Sequence, residues 1–478
     1  MSIPKEILEV PRPKNTLVTV YGKDKNKYAV RQRVGCRYEN GRHLPVNGPT
    51  IGHIVDGKFV PKGDLSPIHF ASVDIKEWAN VILADRLFQE ILEELLCVYC
   101  KKDAEKIYTI AILRVCHPGI KDSELMDAYK ESFLSELYPE VALSKNTVST
   151  FLNDLGKTFS RIIQFMQNRT AKVKMDHHLI VDGTLKADDS TVNTLSNFSR
   201  KAKLKESRDI SILYAYDFEK KEPICSKCFS GNMLDATAYE AFLTENKIEK
   251  GIITGDKAFA ESVTHEYYKA HPDLHYLNPL MHNRILIETY KMLEFTDILL
   301  GHEGVWCKKE KCTNTNKWLY SFKDIKKNEK SLGTIVFESD IDMPIETAYD
   351  VYDKRWEIEI AMRYYKSACE FDNTREYDDY SVIGSEFCDF LSTVLTFRLI
   401  NEFDNAKLLE AHTYKKIMDF LFAAKKLRQS DKDWELIKVN PPIIEVLQKL
   451  NLVPTSNDLP KRKPGRPKGV KSKISNNK

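Results

Sequence analysis

The chain has 478 residues, a length that predicts two to four domains with sizeable cores. Hydrophobic residues make up 42% and charged residues 29%, which is ordinary for a soluble globular protein. No apolar run approaches the roughly 18 residues of a membrane span, and the charged N-terminus lacks the apolar core of a signal peptide. These features argue against a membrane protein and predict a cytoplasmic one.

The net charge of +3 is unevenly distributed along the chain. Residues 460–478 contain eight Lys or Arg and no acid, so the rest of the chain sums to −5. Any basic surface that binds nucleic acid must therefore be local.

Residues 1–65 alternate apolar and polar side chains between Gly and Asn turns, for example in 16–21 and 50–57. This pattern predicts a small β-rich module. Residues 1–50 hold ten Lys or Arg against four acids. That excess is compatible with DNA contact, and a solvated surface explains it nearly as well.

Residues 66–170 form a second predicted domain, because the pattern turns helical from Asp74 to about Asn168. Ser144 is a predicted N-cap for a short helix that follows it. One interpretation is the recognition helix of a helix-turn-helix, with Lys145, Asn146 and Thr150 facing the major groove. The other is an ordinary capped surface helix.

Two acids follow short β-branched or apolar runs. Asp182 comes after 178–181 and precedes Gly183, and Asp256 comes after 251–255. Each acid is predicted at the point where the chain leaves a strand. Ligands of α/β folds gather at such strand ends, although Asp is also a common turn former.

Between and after these acids the pattern remains mixed. It predicts a hairpin over 210–217 and 223–229, a helix over 236–246, and a strand over 334–338. Helical and strand signals alternate between 276 and 330, where Trp306 and Trp318 are either packed or available for base stacking. Asp342 and Pro344 then predict the start of a helix.

That helix carries the most specific pattern in the chain: Tyr352, Arg355, Glu359 and Lys366. Offsets of 3, 7 and 14 residues place all four within roughly 60° on a helix. The stripe combines a carboxylate with two cations and a phenol. An ordinary solvated helix face is the alternative.

Asp182, Asp256 and Glu359 together supply three carboxylates from two strands and a helix. A set made only of carboxylates favours Mg²⁺ or Mn²⁺ over zinc. Two such ions roughly 4 Å apart activate an attacking oxygen and stabilise the leaving oxygen in phosphoryl transfer.

The spacing Tyr352-x2-Arg355-x3-Glu359-x6-Lys366 resembles the Y-(2)-R-(3)-E-(6)-K signature of bacterial insertion-sequence transposases, which are D-D-E enzymes. Asp182 and Asp256 resemble the first and second acids of that family, with 74 and then 103 residues between successive acids. The resemblance covers roughly residues 170–405. It implies an α/β RNase H-like catalytic core over 171–405 with a β-rich insertion at about 276–330. C-terminal helices over 406–455 would complete the fold.

The resemblance also implies the function. Asp182, Asp256 and Glu359 would hold two Mg²⁺ or Mn²⁺ ions, while Tyr352, Arg355 and Lys366 would contact phosphates near the transposon end. The enzyme would act as an endonuclease at the terminal inverted repeats, which the helical domain binds, and would then transfer the strand to target DNA. Such a protein would work as a homodimer at the nucleoid.

Residues 456–478 form a basic tail that resembles an AT-hook. Its Gly465-Arg466-Pro467 core, flanked by Lys463 and Lys468, suits the narrow minor groove of A·T-rich DNA. Pro464 stands where such hooks usually carry arginine. A basic tail that contacts phosphates without shape preference is the alternative.

The cysteines and adjacent histidines carry weaker signals. Cys225 and Cys228 with Cys307 and Cys312 are the one combination with enough ligands for zinc, against reduced cytosolic thiols. His177 and His178 should point to opposite faces of a strand, so we interpret them as structural.

Two other functions remain open on the sequence. A metal-dependent nuclease of the same fold would cut DNA without strand transfer. A non-catalytic DNA-binding regulator derived from a transposase would be expected to have lost an acid.

Overall fold

The computed structural model divides the chain into two compact units. Unit 1 comprises Met1–Ile75 with Leu427–Glu435, and unit 2 comprises Lys76–Lys426 with Leu436–Lys478. Within these ranges the structure describes residues 3–21, 27–39, 41–62, 73–188, 190–198, 208–233, 235–255, 261–280, 285–325, 334–353, 373–374, 376–429 and 432–454. No helix in these ranges is long and apolar enough to cross a membrane.

Unit 1 is built on a four-stranded antiparallel sheet. After the short helix α1 (Lys5–Leu8), the strands follow in the order β1-β2-β3-β4: β1 (Thr16–Tyr21), β2 (Lys27–Glu39), β3 (Arg42–Val55) and β4 (Lys58–Pro61). Its core is small and consists of four buried aliphatic side chains: Val10, Val18, Val30 and Ile54. β2 and β3 are more than twice as long as β1 and β4, so they extend beyond the core.

β5 (Val73–Glu77) leads into a helical segment of unit 2. Its helices are α2 (Ala79–Leu96), α3 (Lys101–Cys116), α4 (Leu125–Lys130), α5 (Leu134–Leu137), α6 (Lys145–Lys157) and α7 (Phe159–Thr170). α3 is buried along most of its length, because α2 covers one side and a C-terminal helix covers the other. The apolar residues of this segment belong to the same large core as the sheet that follows.

A ten-stranded mixed sheet forms the centre of unit 2. Its strands are β6 (His178–Ala187), β7 (Asn197–Phe198), β8 (Arg208–Asp217), β9 (Glu222–Ser230), β10 (Gly251–Thr254), β11 (Leu274–Pro279), β12 (Asp297–Ile298), β13 (Val305–Lys311), β14 (Trp318–Asp324) and β15 (Thr334–Ser339). Their order is β12-β13-β14-β15-β11-β10-β6-β8-β7, with β9 also paired to β8. The neighbours β6, β10 and β11 are parallel, whereas the other pairs are antiparallel.

The segments that join the strands explain why the sheet contains both parallel and antiparallel pairs. β8 and β9 form a hairpin, which requires antiparallel strands, whereas β10 and β11 are joined through a helix, which permits parallel ones. The helices inserted along the sheet are α8 (Asp235–Asn246), α9 (Glu261–Ala270), α10 (Ile285–Thr289) and α11, described over 345–353. The strands β12, β13 and β14, which fall in the predicted insertion, continue the same sheet through β15.

The C-terminal part of unit 2 begins with the long buried helix α12 (Asp379–Asn405). Asp378 caps it by accepting a hydrogen bond from the backbone N–H of Ser381. α6 approaches this helix so closely that a Cβ on Gly156 would lie 1.8 Å from the carbonyl oxygen of Tyr380. α13 (Tyr414–Ala423) and α14 (Pro441–Lys449) follow. A separate three-stranded sheet, ordered β17-β16-β5, consists of β5, β16 (Lys425–Gln429) and β17 (Glu435–Leu436), and most of its residues belong to unit 1.

A buried cluster of ion pairs joins four elements of unit 2. Arg169 of α7 contacts Glu222 of β9 at 2.8 Å and Glu94 of α2 at 2.6 Å. Arg398 of α12 contacts the other Glu222 oxygen at 2.6 Å. Burial alone would raise the pKa of Glu222, but the two guanidinium groups outweigh it and hold the pKa below the ordinary 4.5.

This cluster predicts a specific acid sensitivity. Because the folded-state pKa is lowered, ionised Glu222 contributes stability above pH 4.5, and that contribution is lost as the pH falls through the lowered value. We therefore expect Glu222→Gln to unfold at a lower temperature than the wild type at neutral pH. This difference in unfolding temperature should narrow as the pH is lowered to about 3. Thermal unfolding of both proteins at each pH measures it.

The exposed pair Glu445–Lys449 provides the control for this prediction. Glu445→Gln should unfold at the same temperature as the wild type at every pH, because exposed ion pairs contribute little to stability. An unchanged gap between Glu222→Gln and the wild type at every pH would contradict the assignment.

Candidate active site

Asp182 lies in the middle of β6, as the fifth of its ten residues. The first four residues of this strand, 178–181, are buried, whereas Asp182 is half-buried. It stands opposite Tyr214 in the antiparallel ladder with β8. One of its carboxylate oxygens, Oδ1, accepts a 2.9 Å hydrogen bond from the backbone N–H of Gly183. The strand thus presents a carboxylate directly after the buried run 178–181. The prediction that the chain leaves the strand at Asp182 is wrong, because β6 stays paired with β8 as far as Ala187.

The strand that leads to Asp256 lies directly beside β6. β10 runs parallel to β6, with Ile253 next to Leu179 and Thr254 next to Ile180. β10 ends at Thr254, and Gly255 is the last described residue before Asp256, which lies outside the described residues. Both strands point toward the same edge of the sheet, where side chains that follow parallel strands gather.

The helix that leads to Arg355 is also anchored on β6. Val351 of α11 is fully buried in one small cluster with Ile180 of β6, Tyr216 of β8 and Phe397 of α12. Ile180 precedes Asp182 by two residues on the same face of the strand. The described start of this helix is therefore held against the strand that carries Asp182.

Tyr352 is the one member of the Tyr-Arg-Glu-Lys pattern within the described residues. Its ring lies edge-on to Phe337 of β15, with 5.0 Å between ring centroids, and it is half-buried. Arg355, Glu359 and Lys366 lie outside the described residues, so the alignment of the four side chains stays a prediction.

A buried charge network, which the sequence patterns did not predict, ties β6 to α12. Lys186 lies four residues after Asp182 and contacts Glu386 at 2.5 Å and Asp389 at 2.8 Å. Asp389 in turn contacts Arg114 of α3 at 2.8 Å. The signal present in the sequence was the pair Glu386 and Asp389, the only charged residues between 380 and 397.

Burial acts in opposite directions on the two partners of the ion pair between Lys186 and Glu386. It raises the pKa of Glu386 to about 7 despite the adjacent lysine. Burial alone would lower the pKa of Lys186, but Asp389 and Glu386 together raise it above its ordinary value. The network therefore keeps Lys186 charged and fixes the position of β6 relative to α12.

His177 and His178 engage different acids, as their opposite directions predict. His177 Nδ1 lies 2.8 Å from Asp217, and His178 Nδ1 lies 2.8 Å from Glu219. His177, Asp217 and Glu219 place one ligand atom each within 4.8 Å of one another, a spacing compatible with a metal ion. Asp217 and Glu219 already accept hydrogen bonds from backbone N–H groups. The group lies at the start of β6, roughly 13 Å along the strand from Asp182.

The four cysteines considered as a possible zinc site do not come together. Cys225 lies in the largest buried cluster, Cys307 in a second and Cys312 in a third. Cys228 packs at the edge of the first. Although all four residues are within the described part of the chain, they do not appear together as a metal-binding group. The combination is therefore wrong, because the strands that carry the two pairs belong to different parts of the sheet.

The predicted DNA-contacting residues of α6 are exposed. Lys145 and Asn146 occupy its first two positions, and Thr150 lies one turn later. Ser144 stands at the N-cap, with its hydroxyl 2.7 Å from that of Thr147. The opposite side of α6 packs on α12, so its exposed side remains available to a ligand. Lys463, Arg466 and Lys468 lie outside the described residues.

Part of the chain matches a known protein family. Residues 174–379 match a family model described as "Transposase DDE domain". The matched range contains β6 with Asp182 and spans the positions of Asp256 and Glu359, and the match supports a DDE transposase.

Among solved structures, the chain is similar to a chain of the "Cryo-EM structure of piggyBac transposase synaptic complex with hairpin DNA (SNHP)". The two share 14% identity with a TM-score of 0.41, over 72% of this chain and 80% of the other. No curated protein matches the sequence.

Proposed function

We propose that this protein is a D-D-E DNA transposase of an insertion sequence, which cuts DNA at the ends of its element and joins those ends to a target. The observation that carries the proposal is the parallel register of β10 with β6 inside the range that matches the transposase domain. This register directs the segment after Thr254 toward the edge at which Asp182 lies. The mixed sheet is consistent with an RNase H-like core.

The proposed catalytic residues are Asp182, Asp256 and Glu359. Their carboxylate oxygens fit Mg²⁺ or Mn²⁺, and Asp182 meets this requirement by presenting a half-buried carboxylate directly after the buried run 178–181. Two bound ions would supply Lewis-acid stabilisation of the phosphoryl-transfer transition state. The His177 group is a poorer fit for these ions, since imidazole suits softer metals and its acids are already paired.

The remaining members of the helix pattern would bind DNA. Arg355 and Lys366 would hold phosphates, and Arg355 is suited to a bidentate contact. The phenol of Tyr352 would donate a hydrogen bond, and its packing on Phe337 would restrict the ring to one orientation. Packing of Val351 with Ile180 supports a placement of this helix next to Asp182.

DNA binding outside the core would involve Lys145 and Asn146 at the inverted repeats, and the tail residues Lys463, Arg466 and Lys468. We keep the predicted domain limits, 1–65, 66–170, 171–405, 406–455 and 456–478, as part of this proposal. Synapsis of two ends would require a homodimer, and its DNA substrate would place the protein at the bacterial nucleoid.

A metal-dependent assay tests the proposal. The purified protein is incubated with DNA that carries the flanks of its own gene, in Mg²⁺, in Mn²⁺, or in excess chelator. We expect cleavage at defined ends and joining to a plasmid with either metal, and neither product with chelator. Binding of the ends without cleavage in either metal would favour the DNA-binding regulator instead.

A further inference from the structure

The strands β2 and β3 extend well beyond the sheet of unit 1. β1 pairs with β2 only over 27–32, and β4 pairs with β3 only over 52–55. From Arg33 to Asn47 the two strands form a ladder only with each other, and at the base of this segment the backbone N–H of Arg33 donates a 2.8 Å hydrogen bond to the carbonyl of Asn15. We call residues 33–39 and 41–47 the ribbon arm. At about 3.3 Å per residue, the arm extends roughly 20 Å beyond the sheet.

The arm contributes nothing to the core of its unit. Every residue of the ribbon arm is exposed, and none belongs to the buried cluster of unit 1. It nevertheless carries large apolar side chains, with Val34 58% and Tyr38 68% exposed. A long exposed ribbon with apolar side chains is a liability for a protein unless a ligand covers it.

The ladder places cations and apolar groups on one face. Arg37 stands opposite Leu44, and two positions further Glu39 stands opposite Arg42. Directly paired residues point to the same side, and alternate pairs share a face. Arg37, Arg42 and Leu44 therefore lie together with Glu39. On the other face the rings of Tyr38 and His43 are in tilted contact, with 4.9 Å between their centroids.

The charge of the arm identifies the class of partner. The arm carries three arginines, Arg33, Arg37 and Arg42, and a single acid, Glu39. The ion pair between Glu39 and Arg37 is exposed and 3.3 Å long. A second copy of the arm would bring like charges together, which disfavours self-association. A polyanion has the complementary charge.

Shape narrows the partner to duplex DNA. A two-stranded ribbon fits the major groove, which is about 12 Å wide. Arginine there binds guanine edges or phosphates, and aliphatic side chains contact thymine methyl groups. We propose that the ribbon arm inserts into a groove of duplex DNA and supplies a binding site separate from the catalytic residues. This inference rests on the proposed function in that it takes DNA as the ligand.

The test compares two triple variants of the full-length protein. Arg33→Ala/Arg37→Ala/Arg42→Ala removes the cations of the arm. Lys5→Ala/Lys14→Ala/Lys58→Ala removes three exposed cations from the body of the same unit. Binding of a labelled duplex with the gene's flanks is followed by fluorescence anisotropy as a function of salt.

We expect the arm variant to bind at least about tenfold more weakly and the control to bind like the wild type. The slope of log affinity against log salt should fall by about 0.9 for each phosphate that the variant no longer neutralises. Arg33→Lys/Arg37→Lys/Arg42→Lys should keep most of the slope but lose preference for the flanks over unrelated DNA, because lysine cannot reproduce bidentate contacts. Thermal unfolding should be the same for all variants, since the arm does not pack.

Three outcomes would overturn one claim or the other. If the wild type cuts and binds DNA but the arm and control variants bind equally, the arm inference is wrong and the proposed function stands. If the arm variant changes the sedimentation of the DNA-free protein and leaves DNA affinity intact, the arm is a protein interface. If the wild type binds no DNA, the proposed function itself fails.

Discussion

Asp182→Asn is expected to reduce DNA cleavage and strand joining by at least about 10³-fold while leaving DNA binding and folding unchanged. A neutral amide binds divalent cations far less well than a carboxylate, and a catalytic metal is worth several kcal/mol of transition-state stabilisation. The substitution keeps Oδ1, which accepts the hydrogen bond from the backbone N–H of Gly183, so the strand should keep its conformation. Gel assays of cleavage and joining measure the loss.

Asp273→Asn is the matched control. Asp273 is exposed and immediately precedes β11, which runs parallel to β10 and β6, so it lies at the opposite edge of the same sheet. This variant should cut and join like the wild type. If Asp182→Asn cut and joined DNA as well as the wild type, Asp182 would not be a catalytic residue.

Lys186→Met is expected to destabilise the protein by about 3–5 kcal/mol, which is the usual cost of removing one partner from a buried ion pair. Methionine matches the aliphatic length of lysine, so the loss of the charge dominates. Glu386 and Asp389 would then face each other without the cation that both contact, in a site closed to water. The shift is measured by thermal or urea unfolding.

Lys172→Met provides the comparison for an accessible ion pair. Lys172 also contacts two acids, but its side chain is 48% exposed, against 4% for Lys186. Lys172→Met should lower the free energy of unfolding by at most about 1 kcal/mol. Adding Glu386→Gln to Lys186→Met should recover part of the stability, because it removes one unpaired acid. If Lys186→Met and Lys172→Met unfold alike, the network has no structural importance.

The local elements of the range that matches the transposase domain were largely predictable. The hairpin expected over 210–217 and 223–229 is found as Arg208–Asp217 and Glu222–Ser230, and the helix expected over 236–246 as Asp235–Asn246. The strand expected over 334–338 is Thr334–Ser339. In each case an apolar periodicity ends at turn-forming residues, so the signal is local.

The ribbon arm was not predictable in the same way. Gly35, Pro45 and Gly48 resemble turn signals, which break the sequence into short strands. In the structure both strands run through them, and a Cβ at Gly48 would lie 2.5 Å from Val34 Cγ1. Glycine is required there by the close approach of the other strand, and that contact is invisible without the register.

In the candidate site, too, local patterns were predictable and long-range contacts were not. Asp182 and the Tyr-Arg-Glu-Lys spacing are local patterns, and both are evident in the sequence. The pairing of Lys186 with Glu386, 200 residues later, depends on how α12 packs on the sheet. The separation of Cys225 from Cys307 likewise follows from strand order, which neither spacing nor composition determines.

The most direct test of strand transfer uses a pre-cut end. A duplex with the flank sequence is prepared with either a 3′-hydroxyl or a 3′-dideoxy terminus and incubated with the protein, Mg²⁺ and a target plasmid. A transposase should join the 3′-hydroxyl end to the plasmid and leave the dideoxy end unjoined. Cutting of intact flanks combined with no joining of the 3′-hydroxyl end would contradict transposition and identify a nuclease.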